Sequence, residues 1–193
     1  MTSSIEHTCP GCGKQSTATV YNSVNVSESP DLKQKVLNGE LFVHECPFCG
    51  ERTLLRNSFL YHDPEKKIIV CLSDRPIGAE GLEEYTSRRV TDVGSLVEKV
   101  KILDAGLDDR AMELCKVITR QELGKSVSLK FFRMDGPDNE ITLTYPQDGK
   151  MEMLVIGFNV YEDCRGIVGR NPSMEIRGME LVDSAWVEKF IAE

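Results

Sequence analysis

Two copies of one short cysteine motif constrain this chain more than any other feature of its sequence. Residues 7–13 and residues 44–50 both fit the pattern H-x-C-P-x-C-G. A Cys-x-x-Cys turn bends back far enough for both sulfurs to bind the same ion, and a tetrahedral ion needs two such turns. The motif therefore predicts one metal ion held by four thiolates, those of Cys9, Cys12, Cys46 and Cys49.

This ligand set is typical of a structural zinc site. Four thiolates fill every position around a tetrahedral ion and leave none for water or substrate, so we expect one structural Zn²⁺ per chain. The glycine after each motif, Gly13 or Gly50, permits a positive φ that turns backbone N–H groups toward the sulfurs. His7 and His44 each precede a cysteine by two positions, and two roles stay open for them: hydrogen-bond donor to the site, or ordinary strand residue beside it.

The segment between the two cysteine pairs, residues 13–45, is longer than the ~15 to 20 residues of a compact zinc site. It contains a predicted short helix that Ser29 caps, that opens at Pro30 and that ends at Asn38-Gly39. Strands are predicted on either side, at Ala18–Val26 and Leu41–Glu45, so the two turns can face each other as in a zinc ribbon. A hairpin over residues 54–61 and 67–73 is expected to share the same small sheet.

Beyond residue 79 the spacing of the apolar residues changes from one typical of strands to one typical of helices. Spacings typical of helices predict a pair of helices over residues 93–105 and 109–123, the first ended by Gly106 and the second capped by Asp108 and ended by Gly124. A three-stranded meander over residues 127–159 follows, and then a last helix capped by Asp183. The predicted class is α+β: a zinc-ribbon-like small β-sheet with an inserted helix, a helix pair, and a C-terminal antiparallel meander with a terminal helix. We predict two domains, 1–124 and 125–193.

The composition and charge of the chain argue against several classes of partner and location. The net charge of −8 is spread along the chain, and such a field disfavours nucleic acid and anionic membrane surfaces. No apolar run approaches the ~20 residues of a membrane span, and the start of the chain lacks the pattern of a secretory signal. An odd number of cysteines, seven, with two Cys-x-x-Cys pairs indicates metal binding in a reducing compartment. We therefore expect a cytoplasmic protein whose partner is another protein; the sequence does not predict its oligomeric state.

Several of these features resemble the CpXC family, which is named for two such motifs. The resemblance covers about residues 5–125 and is carried by both Cys-Pro-x-Cys turns, by Leu60-Tyr61-His62-Asp63, and by the helical stretch from Glu98 to Arg110. It implies a zinc-ribbon fold with an attached helical part. It implies no activity, because none is assigned to the family.

Other candidate sites carry less specific signals. Asp108, Asp109 and Glu113 form an acidic group that could bind a hard cation, although negative charge in a first helical turn is explained by capping and by the helix dipole. Cys164–Arg170 fits the Cys-x5-Arg spacing of a phosphate-cradling loop, but Asn171-Pro172 disfavours the helix that such a loop needs. We predict no catalytic residue and no cofactor-binding residue. The main hypothesis is a zinc-stabilised interaction or regulatory module; a nucleic-acid-binding ribbon and an enzyme with its site between modules are the alternatives.

Overall fold

The computed structural model describes residues 1–191 and shows a mixed α+β protein, which confirms the predicted fold class. The chain divides into two compact units, an N-terminal unit (Met1–Val97) and a C-terminal unit that starts at Glu98. The predicted division into domains after residue 124 stays a prediction. No helix in the described part of the chain combines the length and apolarity that crossing a membrane requires.

The N-terminal unit is mostly β-structure. Its elements are β1 (Thr2–Thr8), β2 (Gln15–Tyr21), β3 (Ser23–Asn25), α1 (Pro30–Leu37), β4 (Val43–Glu45), β5 (Arg52–Leu54), β6 (Phe59–Asp63), β7 (Ile68–Leu72) and β8 (Thr86–Val90). Two antiparallel hairpins, β1–β2 and β4–β5, form separate two-stranded sheets. A four-stranded sheet has the order β3-β6-β7-β8, with β3 and β6 parallel, β6 and β7 antiparallel, and β7 and β8 parallel.

The predicted hairpin is present as β6–β7, but the expectation that it shares one sheet with the metal turns is wrong. Each cysteine turn closes its own two-stranded hairpin, β1–β2 or β4–β5. After Leu54 the chain bends through residues 55–58, where the Asn57 amide donates to the carbonyl of Tyr21 at 2.7 Å. This bend ends β5 after three residues, so β5 cannot continue into β6.

The inserted helix is confirmed, with two local differences. Proline at its first position and Gly39 (φ 78°) beyond its end define α1 as predicted, but the Ser29 side chain makes no capping hydrogen bond. A 3₁₀ turn (Glu40–Phe42) replaces the first half of the strand predicted at Leu41–Glu45. Leu41 and Phe42 are buried in this turn, which shows that their apolar character reflects core packing rather than strand pairing.

The C-terminal unit packs helices on one face of a meander. Helix α2 (Val93–Asp104) crosses the division between the units; the further elements are α3 (Asp109–Leu123), β9 (Lys130–Asp135), β10 (Glu140–Gln147), β11 (Lys150–Ile156), α4 (Phe158–Arg170) and α5 (Ser184–Ile191). The three strands pair antiparallel in the order β11-β10-β9, so the predicted meander is confirmed.

The predicted helix signals in this unit are confirmed. The Asp108 carboxylate accepts the backbone N–H of Arg110 at the start of α3, and Gly124 ends that helix with a φ of 64°. Asp183 accepts the backbone N–H of Trp186 at 2.8 Å and so caps α5. The core buries the α3 stripe together with alternate residues of β10, among them Ile141 and Leu143. The sequence pattern did not reveal α4.

Candidate metal centre

The two cysteine turns are built alike. In the first, the Cys9 N–H donates to the carbonyl of Lys14 at 3.0 Å and the Gly13 N–H donates to the carbonyl of Cys9 at 2.9 Å. The second repeats this pattern at the equivalent positions, with Cys46 N–H to Glu51 at 2.8 Å and Gly50 N–H to Cys46 at 2.9 Å. These bonds fix each pair of cysteines at the tip of its hairpin.

The two glycines have the backbone conformation that the sequence predicts. Gly13 has a φ of 70° and Gly50 a φ of 74°. In the second turn the backbone N–H groups of Phe48 and Cys49 donate to the sulfur of Cys46. Backbone dipoles therefore point at the sulfur and stabilise negative charge on it.

All four predicted ligands lie together. Their sulfurs are all within 4.8 Å of one another. The Cys9 and Cys49 sulfurs are 3.6 Å apart, and those of Cys12 and Cys46 are 3.8 Å apart. Four sulfurs at ~2.3 Å from one tetrahedral ion would be about 3.8 Å apart, so the cluster has the size that such an ion requires. The four cysteines could hold a metal ion without rearrangement of the backbone.

The environment of the cluster shifts the pKa values of Cys46 and Cys49 in opposite directions. The backbone N–H of Phe48 lowers the pKa of Cys46 to about 7, against the opposing effect of burial. At Cys49 the Glu51 N–H also lowers the pKa, but burial and the neighbouring thiols outweigh it and raise the pKa to about 12. Four thiolates this close repel one another, so complete ionisation of the cluster requires a cation between them.

Two histidines join the hairpins behind the cysteines. The rings of His7 (β1) and His44 (β4) are in edge contact, with centroids 5.4 Å apart. His44 Nε2 is 3.1 Å from the Ser16 hydroxyl of the other hairpin, and His7 Nε2 is buried without a hydrogen-bond partner among the described residues. Neither Nε2 donates to a cysteine sulfur. These rings act by packing one hairpin against the other, and so hold the two turns face to face.

The outer side of the cluster is open to solvent. Cys9 and Cys46 are buried, whereas Cys12 and Cys49 are exposed. Phe48, at the tip of the second turn, is 55% exposed, and the ammonium group of Lys14 from the first turn lies 4.9 Å from its ring centroid. An exposed aromatic ring therefore projects beside the cluster, and its only described ring contact is with this cation.

The structure corrects the two weaker site hypotheses. Cys164–Arg170 lies inside α4, so its backbone N–H groups belong to a helix and cannot form a phosphate-cradling loop. Asp108 is a helix cap as predicted, but Asp109 and Glu113 are buried, with ion pairs to Lys99 at 2.9 and 3.7 Å. Capping is therefore not their main role.

These two acids belong to a buried ion network that the sequence reasoning missed. The network consists of five side chains, each at most 7% exposed: Glu98, Lys99, Asp109, Glu113 and Lys116. Lys116 contacts both Glu98 at 2.7 Å and Glu113 at 2.8 Å. One signal could have revealed it: residues 109, 113 and 116 share the helical spacing of a single face, which is a polar row beside the apolar stripe.

The remaining predicted residues have structural contacts. His62 lies on β6, with Nε2 3.3 Å from the Tyr85 hydroxyl. Cys71, Cys115 and Cys164, the thiols outside the motifs, are buried. Burial raises the pKa of Cys71 despite the opposing charge of Arg89, so this thiol is a poor nucleophile at neutral pH.

Fold and site together define a class: an α+β protein with two facing Cys-x-x-Cys turns whose four sulfurs can hold one metal ion. The family model described as CpXC protein matches residues 7–116, which include both turns, the four-stranded sheet, α2 and about the first half of α3. The chain belongs to the CpXC family. No curated protein and no solved structure matches it at a significant level.

Proposed function

We propose that this protein binds one structural Zn²⁺ through Cys9, Cys12, Cys46 and Cys49, and that the resulting zinc ribbon is a module that docks another protein. The observation that carries the zinc site is the spacing of the four sulfurs, which matches a tetrahedral thiolate cage. Thiolate ligands favour zinc over the hard cations that carboxylates bind. The three further cysteines are free thiols, which supports a reducing compartment such as the cytoplasm.

Elemental analysis of the purified protein tests the metal. About one zinc per chain is expected, since four thiolates complete one tetrahedral site. The paired substitution Cys46→Ser and Cys49→Ser should abolish zinc binding, and the control Cys71→Ala, which removes a buried thiol outside the cluster, should leave it unchanged. Iron at the same stoichiometry, with the red colour of an iron–thiolate site, would contradict the proposal.

The proposal of a protein partner rests on the surface beside the cluster. Phe48 is an exposed aromatic ring on a turn that is closed by backbone hydrogen bonds. Such a ring can enter a partner's apolar pocket with little loss of conformational entropy. On the two cysteine hairpins three carboxylates, Glu6, Glu45 and Glu51, are exposed, against two exposed cations, Lys14 and Arg52. This charge favours a partner whose pocket is rimmed by Lys and Arg, and it opposes phosphate contacts with nucleic acid.

Site-specific crosslinking tests the docking surface. A photoreactive phenylalanine at position 48 should yield a discrete adduct with one cellular protein, and the same group at Ile77, another exposed apolar side chain of this unit, should not. Adding the Cys46→Ser and Cys49→Ser substitutions should abolish the adduct. An adduct with nucleic acid, or equal adducts from both positions, would refute protein docking through Phe48.

A cavity of about 610 Å³ in the N-terminal unit favours a second candidate, an enzyme. It lies at the carboxyl ends of the parallel strands β7 and β8, a common position for ligand sites, and its lining includes Arg56, Ser58, Asp74 and Thr91. Among the described residues, however, its lining has no histidine, cysteine or lysine, and of its two carboxylates Asp92 already accepts hydrogen bonds in the first turn of α2. The docking module is therefore the better-supported function.

A further inference from the structure

A second cavity, of about 320 Å³, lies in the C-terminal unit and is lined mainly by cationic and hydroxyl side chains. Helix α3 contributes Lys116 and Arg120, the segment after it contributes Ser126 and Ser128, and α5 contributes Ser184; Val127 and Leu129 complete the lining. Among the described residues no carboxylate lines this cavity. Its wall is therefore a set of hydrogen-bond donors that comes from three separate parts of the chain.

The Lys116 side chain is held in place in the cavity wall and is not a mobile surface lysine. Its side chain is 5% exposed, and its ammonium group is fixed by Glu98 at 2.7 Å and by Glu113 at 2.8 Å. An ammonium group has three N–H donors, so these two bonds leave one. Lys116 also lines the cavity, and the site proposed below assigns this third donor to its ligand.

Arg120 lies one helical turn beyond Lys116, on the same face of α3. Its guanidinium pairs with Glu188 through one terminal nitrogen, and its side chain is 32% exposed. A guanidinium has five N–H donors in a planar fork, so most of them stay available beside the cavity. The exposed hydroxyls of Ser126 and Ser128 are further donors, whereas the Ser184 hydroxyl is directed to Glu113 at 3.4 Å.

We propose that this cavity binds a small molecule through a tetrahedral oxyanion, a phosphate group being the best match. Donors that converge from α3 and from the following segment suit a tetrahedral group better than a planar carboxylate, which accepts in one plane. The volume lies at the lower end of the ~300 to 1,000 Å³ of small-molecule pockets and leaves room for a small organic part beside the phosphate. The metal centre takes no part in this site.

The surrounding charges limit the affinity. Lys116 is already neutralised by the carboxylates behind it, and Arg120 is shared with Glu188. Recognition then depends on convergent donors rather than on a strong positive field. This makes binding selective for the shape of the oxyanion and only moderately dependent on salt.

An NMR titration of the full-length, zinc-loaded protein with inorganic phosphate tests the site. Ionic strength is held constant with potassium chloride, and sulfate and acetate are titrated in parallel. Saturable shifts are expected for the amides of Arg120, Ser126 and Ser128 with phosphate and sulfate, and much weaker ones with acetate. Equal shifts with acetate, or shifts spread over exposed lysines and arginines throughout the chain, would overturn the proposal.

Substitutions provide the second arm of the test. Arg120→Gln should weaken phosphate binding by about tenfold or more, because a charge-assisted hydrogen bond is lost. Its exposed ion pair contributes little to stability, so the fold is retained. The matched control Arg133→Gln removes an exposed, ion-paired cation of the same unit that does not line the cavity, and it should leave binding unchanged. The double variant Ser126→Ala and Ser128→Ala should also weaken phosphate binding. An unaltered midpoint of the phosphate titration in both cavity variants would refute the site.

Discussion

Gly50 shows how one residue without a side chain supports the second cysteine turn. Its φ of 74° lets the second cysteine turn close, and a Cβ placed there would meet no atom within 4 Å. The cost of adding a side chain is therefore purely conformational. An L-residue in this region costs roughly 1 to 2 kcal/mol.

We expect Gly50→Ala to lower the free energy of unfolding of the zinc-loaded N-terminal unit by about 1 to 2 kcal/mol, and to weaken zinc binding by up to about tenfold. Urea unfolding followed by circular dichroism and a competitive zinc titration measure the two effects. Gly78→Ala is the control, because Gly78 has equally open space and no positive φ. If both variants unfold alike, the positive φ at Gly50 is not what the turn requires.

At the residue scale, the sequence was informative where covalent spacing fixes the geometry. Two cysteines three positions apart must share a turn, so all four candidate ligands and both motif glycines could be identified directly. The histidines could not be assigned in this way. The contact of His44 with Ser16 depends on how two hairpins far apart in sequence come together, and no local pattern encodes that arrangement.

At the scale of elements, the helices that could be predicted have local sequence signals that agree, whereas α4, which was missed, depends on packing with distant residues. Helix α3 has a cap, an apolar stripe and a terminal glycine, and all three signals agree. Helix α4 buries Tyr161, Cys164 and Val168 at helical spacing, but it also contains Gly166 and Gly169, which disfavour a helix locally. Packing in the core overrides that preference.

Two strands were missed for a different reason. In β1 the side chains are exposed apart from Ile5 and His7, so this edge strand has little apolar alternation. In β8 the polar residues Ser87 and Arg88 are buried, which hides the pattern from a count of apolar positions. Both strands are defined by backbone pairing with a neighbour rather than by their own composition.

The ion network that links α2, α3 and β9 should make the C-terminal unit sensitive to acid. Burial raises the pKa of Glu98, but the charges of Lys116 and Lys130 outweigh it, so the pKa lies below the ordinary value of 4.5. The carboxylate also accepts the backbone N–H of Phe131 at 2.7 Å. A carboxyl group with a lowered pKa contributes stability that is complete above the unfolded pKa and is lost as the pH falls through the folded pKa.

We therefore expect the stability of the C-terminal unit to fall below about pH 4.5, the ordinary carboxyl range, and Glu98→Gln to show a smaller slope there. At neutral pH the variant should be less stable, because Lys116 and Lys130 lose a partner. The emission of Trp186, the single tryptophan, reports on this unit alone. The exposed substitution Glu140→Gln is the control, and an equal acid slope in all three proteins would show that Glu98 is not responsible.

At the scale of the whole molecule, the four candidate metal ligands are confined to one of the two units. All four candidate ligands lie in the N-terminal unit, and the second cysteine hairpin is short: β4 and β5 have three residues each, against seven each in β1 and β2. The C-terminal unit has its own large core, built from α3, α4, α5 and the meander. Loss of the metal should therefore destabilise the N-terminal unit far more than the C-terminal unit.

A structural zinc contributes an apparent ~10 to 16 kcal/mol, against the ~5 to 15 kcal/mol by which a whole domain is stable. The paired substitution Cys46→Ser and Cys49→Ser, or strong chelation, should therefore unfold the cysteine hairpins. In hydrogen exchange we expect protection to be lost in β1, β2, β4 and β5 and retained in β10 and β11, with Trp186 emission unchanged. Cys71→Ala, which removes a buried thiol of the same unit, should keep native protection in the hairpins. Native protection there in the paired variant would mean that the cysteine cluster is peripheral to the fold, and a regulatory or catalytic role for its metal would replace the structural one.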